Sequence, residues 1–138
     1  MSDNSTELEG LQATLDKLVH HREKSKVKGL NLHAFIYFIT IRNLSGRSVT
    51  LKGRKWVLSN DDGTTTVVEG EKIVGETPVI PSGESFSYNS YHVTHLAATA
   101  SGSFHGVDEY AEKIHVRLSP FRLEIPEDLE KSEENPLS

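Results

Sequence analysis

The sequence predicts an all-β domain, a sandwich or barrel built of short strands. From Leu32 onward apolar residues recur mainly at every second position, the period of strands whose alternate side chains meet a core. The apolar runs are short and are separated by clusters of Gly, Asn, Asp, Pro and Ser, residues that turn a chain. There is no cysteine, so packing must hold the fold without disulfides or thiolate zinc sites.

Taken in order, residues 1–10 are polar and acidic and predict a flexible amino terminus. Next, Leu8, Leu11, Leu15, Leu18 and Val19 fit one face of a helix, while Leu11, Ala13 and Leu15 also fit a strand, so periodicity leaves both open. Residues 17–28 are rich in Lys and Arg and include His20 and His21. They predict an exposed connection, with a docking patch as the functional alternative. Phe35, Tyr37, Ile39 and Ile41 share one face of a run in which Ile36 and Phe38 make the other face apolar too, the pattern of a central strand.

Further inward stripes come from Val49 with Leu51, Trp56 with Leu58, Val67, Phe86 with Tyr88, Ile114 with Val116 and Leu118, and Phe121 with Leu123 and Ile125. Turns are expected at 43–46, 60–63, 81–83 and 101–102, where Gly accepts positive φ and Asn or Asp bonds its own backbone. Pro120 lacks a ladder donor and restricts Ser119, which predicts a break or an edge between Leu118 and Phe121. Arg54 and Trp56 share a strand face, which predicts a cation–π contact within the packing, with a peptide-binding site as the alternative. Beyond Pro126 the chain is acidic and aperiodic. The organisation read from the sequence is therefore a domain over 11–125 and an acidic flexible tail over 126–138.

At 138 residues and 36% apolar content the chain supports one core. A net charge of -5 argues against a general affinity for nucleic acid, which needs clustered Lys and Arg to displace counterions. No segment reaches the roughly 18 apolar residues of a membrane span, and the first residues lack the basic start and apolar run of a secretory signal. The expected protein is soluble and cytoplasmic, contacts neither membrane nor nucleic acid, and needs no cofactor.

The scan for chemistry yields weak candidates. Gly83-Glu84-Ser85-Phe86-Ser87 lacks the second glycine of a nucleophile elbow and leads into a strand. Asp61-Asp62 and Asp108-Glu109 stand next to turns, where carboxylates cap backbone amides. His92-x-x-His95 is a candidate metal pair if that stretch is a loop, with His105 and Asp108 as further ligands by type. On a strand, positions three apart point to opposite faces. Gly70, Lys72 and Gly75 form a candidate phosphate loop, which Glu69, Glu71 and Glu76 would oppose by charge. A dinucleotide fingerprint needs a third glycine where Lys72 stands and a helix after Gly75, where Pro78 and Pro81 follow instead.

The order of several blocks resembles the ApaG family, also called the domain of unknown function 525. The blocks are Ala34-Phe35-Ile36-Tyr37-Phe38-Ile39-Thr40-Ile41-Arg42-Asn43, Leu51-x-x-Arg54-x-Trp56, Gly70 through Gly75-Glu76-x-Pro78, Pro81-x-Gly83-Glu84-Ser85-Phe86-x-Tyr88-x-Ser90, Gly102-Ser103-Phe104 with Val107-Asp108, and Pro120-Phe121-Arg122-Leu123. The resemblance implies an antiparallel β-sandwich like immunoglobulin and fibronectin type III domains, with residues 11–20 as its first strand and without established catalysis. It implies a link in bacteria to diadenosine tetraphosphate turnover and to cobalt and magnesium resistance, and in eukaryotes to protein recognition. It also implies pyrophosphate binding at a three-glycine loop, from which this chain departs at Lys72. The functional expectation is a non-catalytic binding or adaptor module for a protein partner, able to self-associate through sheet edges. The alternative is a domain responsive to pyrophosphate, a dinucleoside polyphosphate or a divalent cation.

Overall fold

The computed structural model describes residues 5–23 and 30–126. Among the described residues the secondary structure is entirely strand: β1 (Thr6–Glu7), β2 (Leu11–Glu23), β3 (Leu32–Asn43), β4 (Val49–Asn60), β5 (Thr65–Glu71), β6 (Val79–Ile80), β7 (Ser85–Thr94), β8 (Ala98–Asp108) and β9 (Lys113–Leu123). None of it is a helix long and apolar enough to cross a membrane. The expected acidic tail beyond 126, and the part of the basic connection at 24–28, lie outside the described residues.

The strands form an immunoglobulin-like sandwich. One layer is β2-β3-β7 and the other β5-β4-β8-β9, with β6 added to β4 and β1 to β9. The ladders are antiparallel except at β9, which takes β1 and one residue pair of β2, Ala13 with Leu118, in parallel. That parallel contact ties the two layers together along one flank, so the hydrogen-bonded path runs from β5 round to β7.

Alternation puts Phe35, Tyr37, Ile39 and Ile41 of β3 between the layers, all buried, against Val49, Leu51, Trp56 and Leu58 of β4 and Ile114, Val116 and Leu118 of β9. Fully burying one such aliphatic side chain stabilises the fold by about 1.5–3 kcal/mol.

The amino-terminal ambiguity resolves to a strand, and its cause is visible. The register of β2 against β3 shifts between Leu15 and Lys17, so Leu15 opposes Ile39 while Leu18 opposes Tyr37. A bulge at Asp16 switches the inward set from odd to even positions, and the resulting spacing imitates a helix. The strand continues through Glu23, so residues 17–23 of the expected loop belong to the ladder. Before it, Thr6 and Glu7 pair with Ile114 and His115 of β9.

Of two other readings, one is corrected and one is borne out. The expected turn at 101–102 lies inside β8, where Ala98, Ala100, Gly102, Phe104, Gly106 and Asp108 alternate inward. Gly102 is there for space, because a Cβ would come within 2.7 Å of the Trp56 ring. Pro120 breaks the ladder between Leu118 and Phe121 as expected, without ending the strand. β9 runs through it, and the register against β8 passes from Gly102↔Leu118 to Ala100↔Phe121, so a bulge absorbs the missing donor.

The buried Asn43 carboxamide ties three connections together. Its Nδ2 donates to the carbonyls of Arg47 and Ile80 at 2.7 and 2.8 Å, and its Oδ1 accepts from the amide and hydroxyl of Ser45. Its main chain completes the turn before β7, accepting from the Gly83 amide and donating to the Glu84 carbonyl.

Candidate functional site

The candidate phosphate loop is a tight hairpin whose parts have structural duties. Gly70 lies in β5 opposite Arg54 of β4, and a Cβ there would meet the guanidinium at 3.0 Å. Through that gap Arg54 Nη1 donates to the carbonyls of Glu71 and Lys72 at 2.9 and 3.0 Å. The predicted contact of Arg54 with the Trp56 indole is therefore replaced by bonds to backbone carbonyls, stronger partners for a cation than a ring face. The described cation–π pairs are Lys17 with Phe38 and Arg47 with Tyr110.

Ile73 and Glu76 exchange backbone bonds around Val74 and Gly75, whose φ values are 49° and 81°, the left-handed pair required by a two-residue hairpin turn. The amides of Lys72, Ile73 and Glu76 already donate to the carbonyls of Lys52, Glu76 and Ile73. Ile73 is buried in the core, while Lys72 and Gly75 are exposed. Gly70 and Gly75 thus serve side-chain clearance and turn geometry at two different places.

The histidines divide similarly. His92 of β7 is buried, its ring centroid 4.8 Å from those of both Tyr37 and Trp56, which are themselves 4.8 Å apart. Burial pushes its pKa down to about 4, which keeps the ring neutral. His95 stands exposed in the bend after β7. His105 is exposed on β8 with its ring against Gly53, and Asp108 is occupied by the amides of Tyr110 and Glu112 and by Arg47 at 2.8 Å. Among the described residues no three metal-ligating side chains cluster.

What the sequence reading missed is the polar content of this aromatic box. Trp56 Nε1, Tyr88 Oη and His92 Nε2 are buried without a hydrogen-bond partner among the described residues, while the Tyr37 hydroxyl bonds Ser90. Burial raises the pKa of both Tyr37 and Tyr88, so their hydroxyls stay protonated. Phe104 links the box across the layers, meeting Trp56 and Tyr88 edge-on at 6.3 and 6.0 Å. Only the alternation of Phe86, Tyr88, Ser90 and His92 hinted that His92 points inward.

The outer flank of the box is β7 itself. Among the described residues β7 has one hydrogen-bonded neighbour, β3, and pairs with it over ten residue pairs without a register shift. Its sequence, SFSYNSYHVT, contains no Lys, Arg, Asp, Glu, Pro or Gly. On the solvent face Tyr91 and Val93 are 62% and 47% exposed, and register places them beside Ile36 and Ala34 of β3, with Val19 of β2 completing the row through Ile36. The opposite terminal strand, β5, carries Glu69 and Glu71.

The outer face of the second layer holds an open cleft of about 860 Å³ lined by residues that include Lys55, Ser103, His105 and His115. On this face Lys55 pairs with Glu69 at 3.9 Å and Arg117 with Glu7 at 3.1 Å.

Comparison with known proteins places this arrangement. The family model described as DUF525, the ApaG domain, matches residues 23–109. The chain belongs to the ApaG family. It is 39% identical over 93 residues to Protein ApaG of Vibrio cholerae and 41% identical over 93 residues to that of Pectobacterium atrosepticum, in each case covering 67% of this chain and 74% of the relative. Among solved structures it superposes on Northeast Structural Genomics Consortium target SoR45 with a TM-score of 0.74 at 28% identity, over 86% of this chain and 89% of the other. It also matches a putative ApaA protein from Bordetella pertussis with a TM-score of 0.70 at 21% identity, over 87% and 98% of the two chains, a likeness that concerns the fold. The ApaG match spans β3 to β8 and so includes the hairpin, the aromatic box and β7.

Proposed function

We propose that this ApaG domain is a non-catalytic protein-interaction module that engages its partner by adding a strand to β7. One observation carries the reading: β7 is a ten-residue, bulge-free terminal strand without any charge, proline or glycine to discourage pairing. Natural sheets blunt their edges with lysine, proline, bulges or short length, and an edge left long and regular is a template for main-chain pairing. Main-chain bonds would supply affinity, and the exposed Tyr91 and Val93 would select apolar residues at alternate positions of the incoming strand.

The absence of catalysis is part of the proposal. Asp62 holds Thr64 and Asp108 holds its own turn, so both carboxylates are committed to structure. Three of the amides a phosphate would use, those of Lys72, Ile73 and Glu76, are bonded to carbonyls, which weighs against the small-ligand alternative.

Affinity capture with the full chain tests the reading, comparing wild type with Asn89→Lys/Tyr91→Lys, two exposed outward-facing positions of β7. A defined partner retained by wild type and lost by the variant is expected. Equal recovery by both, or a rise in melting temperature with pyrophosphate, diadenosine tetraphosphate, cobalt or magnesium, would overturn it.

A further inference from the structure

We infer that, in the absence of another partner strand, β7 is occupied by β7 of a second copy of this chain, paired antiparallel about a twofold axis. The inference rests on the strand-addition reading and names the first occupant of that edge. Three features favour a second copy. First, the chain has a net charge of -5, which opposes self-association, yet β7 is uncharged, so two copies meet there without like charges in register.

Second, the strand is compatible with its own reverse. An axis through Asn89 sets Asn89 against Asn89 of the second copy, where each carboxamide is both donor and acceptor, and sets Ser87 opposite Tyr91 and Ser85 opposite Val93. Outward residues then meet outward residues, and the row of Val19, Ile36 and Tyr91 runs on into the hydroxyl row of Ser87, Thr40 and Thr14 in the second copy.

Third, the pairing closes. An isologous contact uses the β7 edge of both copies. The remaining terminal strand, β5, ends on Glu69-Gly70-Glu71, acidic residues that discourage continued growth. The product is a finite dimer with β2, β3 and β7 of each copy in one six-stranded layer. A heterologous partner would bind by displacing the second copy.

Sedimentation velocity on the full chain tests this. Wild type is expected to shift from monomer to dimer with rising concentration, with a midpoint on the order of micromolar to tens of micromolar. Asn89→Lys/Tyr91→Lys, which faces lysines on one another across the axis, should weaken the dimer at least tenfold while keeping the strand-rich circular dichroism of wild type. Val67→Lys on β5 should dimerise as wild type does. Wild type that stays monomeric to several hundred micromolar, or a double variant that dimerises equally well, overturns the inference. Monomeric wild type with edge-dependent capture would sink the dimer alone, whereas loss of both would sink strand addition too.

Discussion

Gly102 lies beneath the indole of Trp56 so closely that a Cβ on it would approach the ring to 2.7 Å. Trp56 is almost wholly buried and is ringed by Tyr37, His92, Phe104 and Phe121, so it has nowhere to retreat. Gly102→Ala is therefore expected to destabilise the domain by about 1–3 kcal/mol despite the better strand propensity of alanine. Urea unfolding monitored by Trp fluorescence measures it, as a lower midpoint with an unchanged slope.

His92 gives the domain an acid limb. Its folded pKa, about 4, lies below the ordinary 6.5, so between these values the unfolded chain binds a proton that the folded chain refuses. Stability from this group is complete above pH 6.5 and falls as the pH drops toward 4, by a total on the order of 3 kcal/mol. His92→Phe removes the titrating group, and its stability should be flatter across that window when melting is followed from pH 7 to pH 4. An equally steep profile in the variant would exclude His92 as the source.

Arg54 braces the hairpin through two carbonyls that no other described side chain reaches. Arg54→Met keeps the apolar stem and loses both charge-assisted bonds, an expected cost of about 1–2 kcal/mol at this partly exposed site. Hydrogen exchange provides the local readout. The amides of Ile73 and Glu76, bonded across the hairpin, should exchange faster, while those of β3 keep their protection.

Asn43→Asp leaves the shape almost unchanged and reverses half the chemistry. The Ile80 carbonyl would lose the carboxamide donor and the Arg47 carbonyl one of its two side-chain donors, and both would face an oxygen at a fully buried position. A loss of about 3 kcal/mol or more is expected, because unpaired buried acceptors carry their desolvation cost in full. Thermal melting at neutral pH checks this, and partial recovery at low pH would mark protonation of the new carboxyl.

The strands whose inward residues are large were legible as sequence. β3, β4, β7 and β9 announce themselves through Tyr37, Trp56, Phe86 and Val116 at period two. β8 hid because its inward set is Ala98, Ala100, Gly102, Phe104 and Gly106, side chains trimmed to fit under Trp56 and beside the β4 backbone, where a Cβ on Gly106 would overlap Thr50. Small residues in alternation resemble a turn when the partner that requires them lies elsewhere in the chain. β2 was blurred by one extra residue at Asp16. At the candidate site the residue types suggested ligands, yet what decides their roles is non-local. Gly70 is matched to Arg54 across a ladder, and His92 is enclosed by rings from β3 and β4. The β7 edge could not be read from β7 alone, since its lack of a second neighbour is a property of topology.

The parallel contact of Ala13 with Leu118 acts as the spine of a book. The covers, β2-β3-β7 and β5-β4-β8-β9, are bound there by backbone bonds, whereas near the fore-edge, where β7 ends its sheet, side chains alone hold them, His92 and Tyr88 against Trp56 and Phe104. Leafing open at that margin would first have to unstack those rings. The strand offered for recognition is therefore clasped from within while its outer backbone stays free to be read.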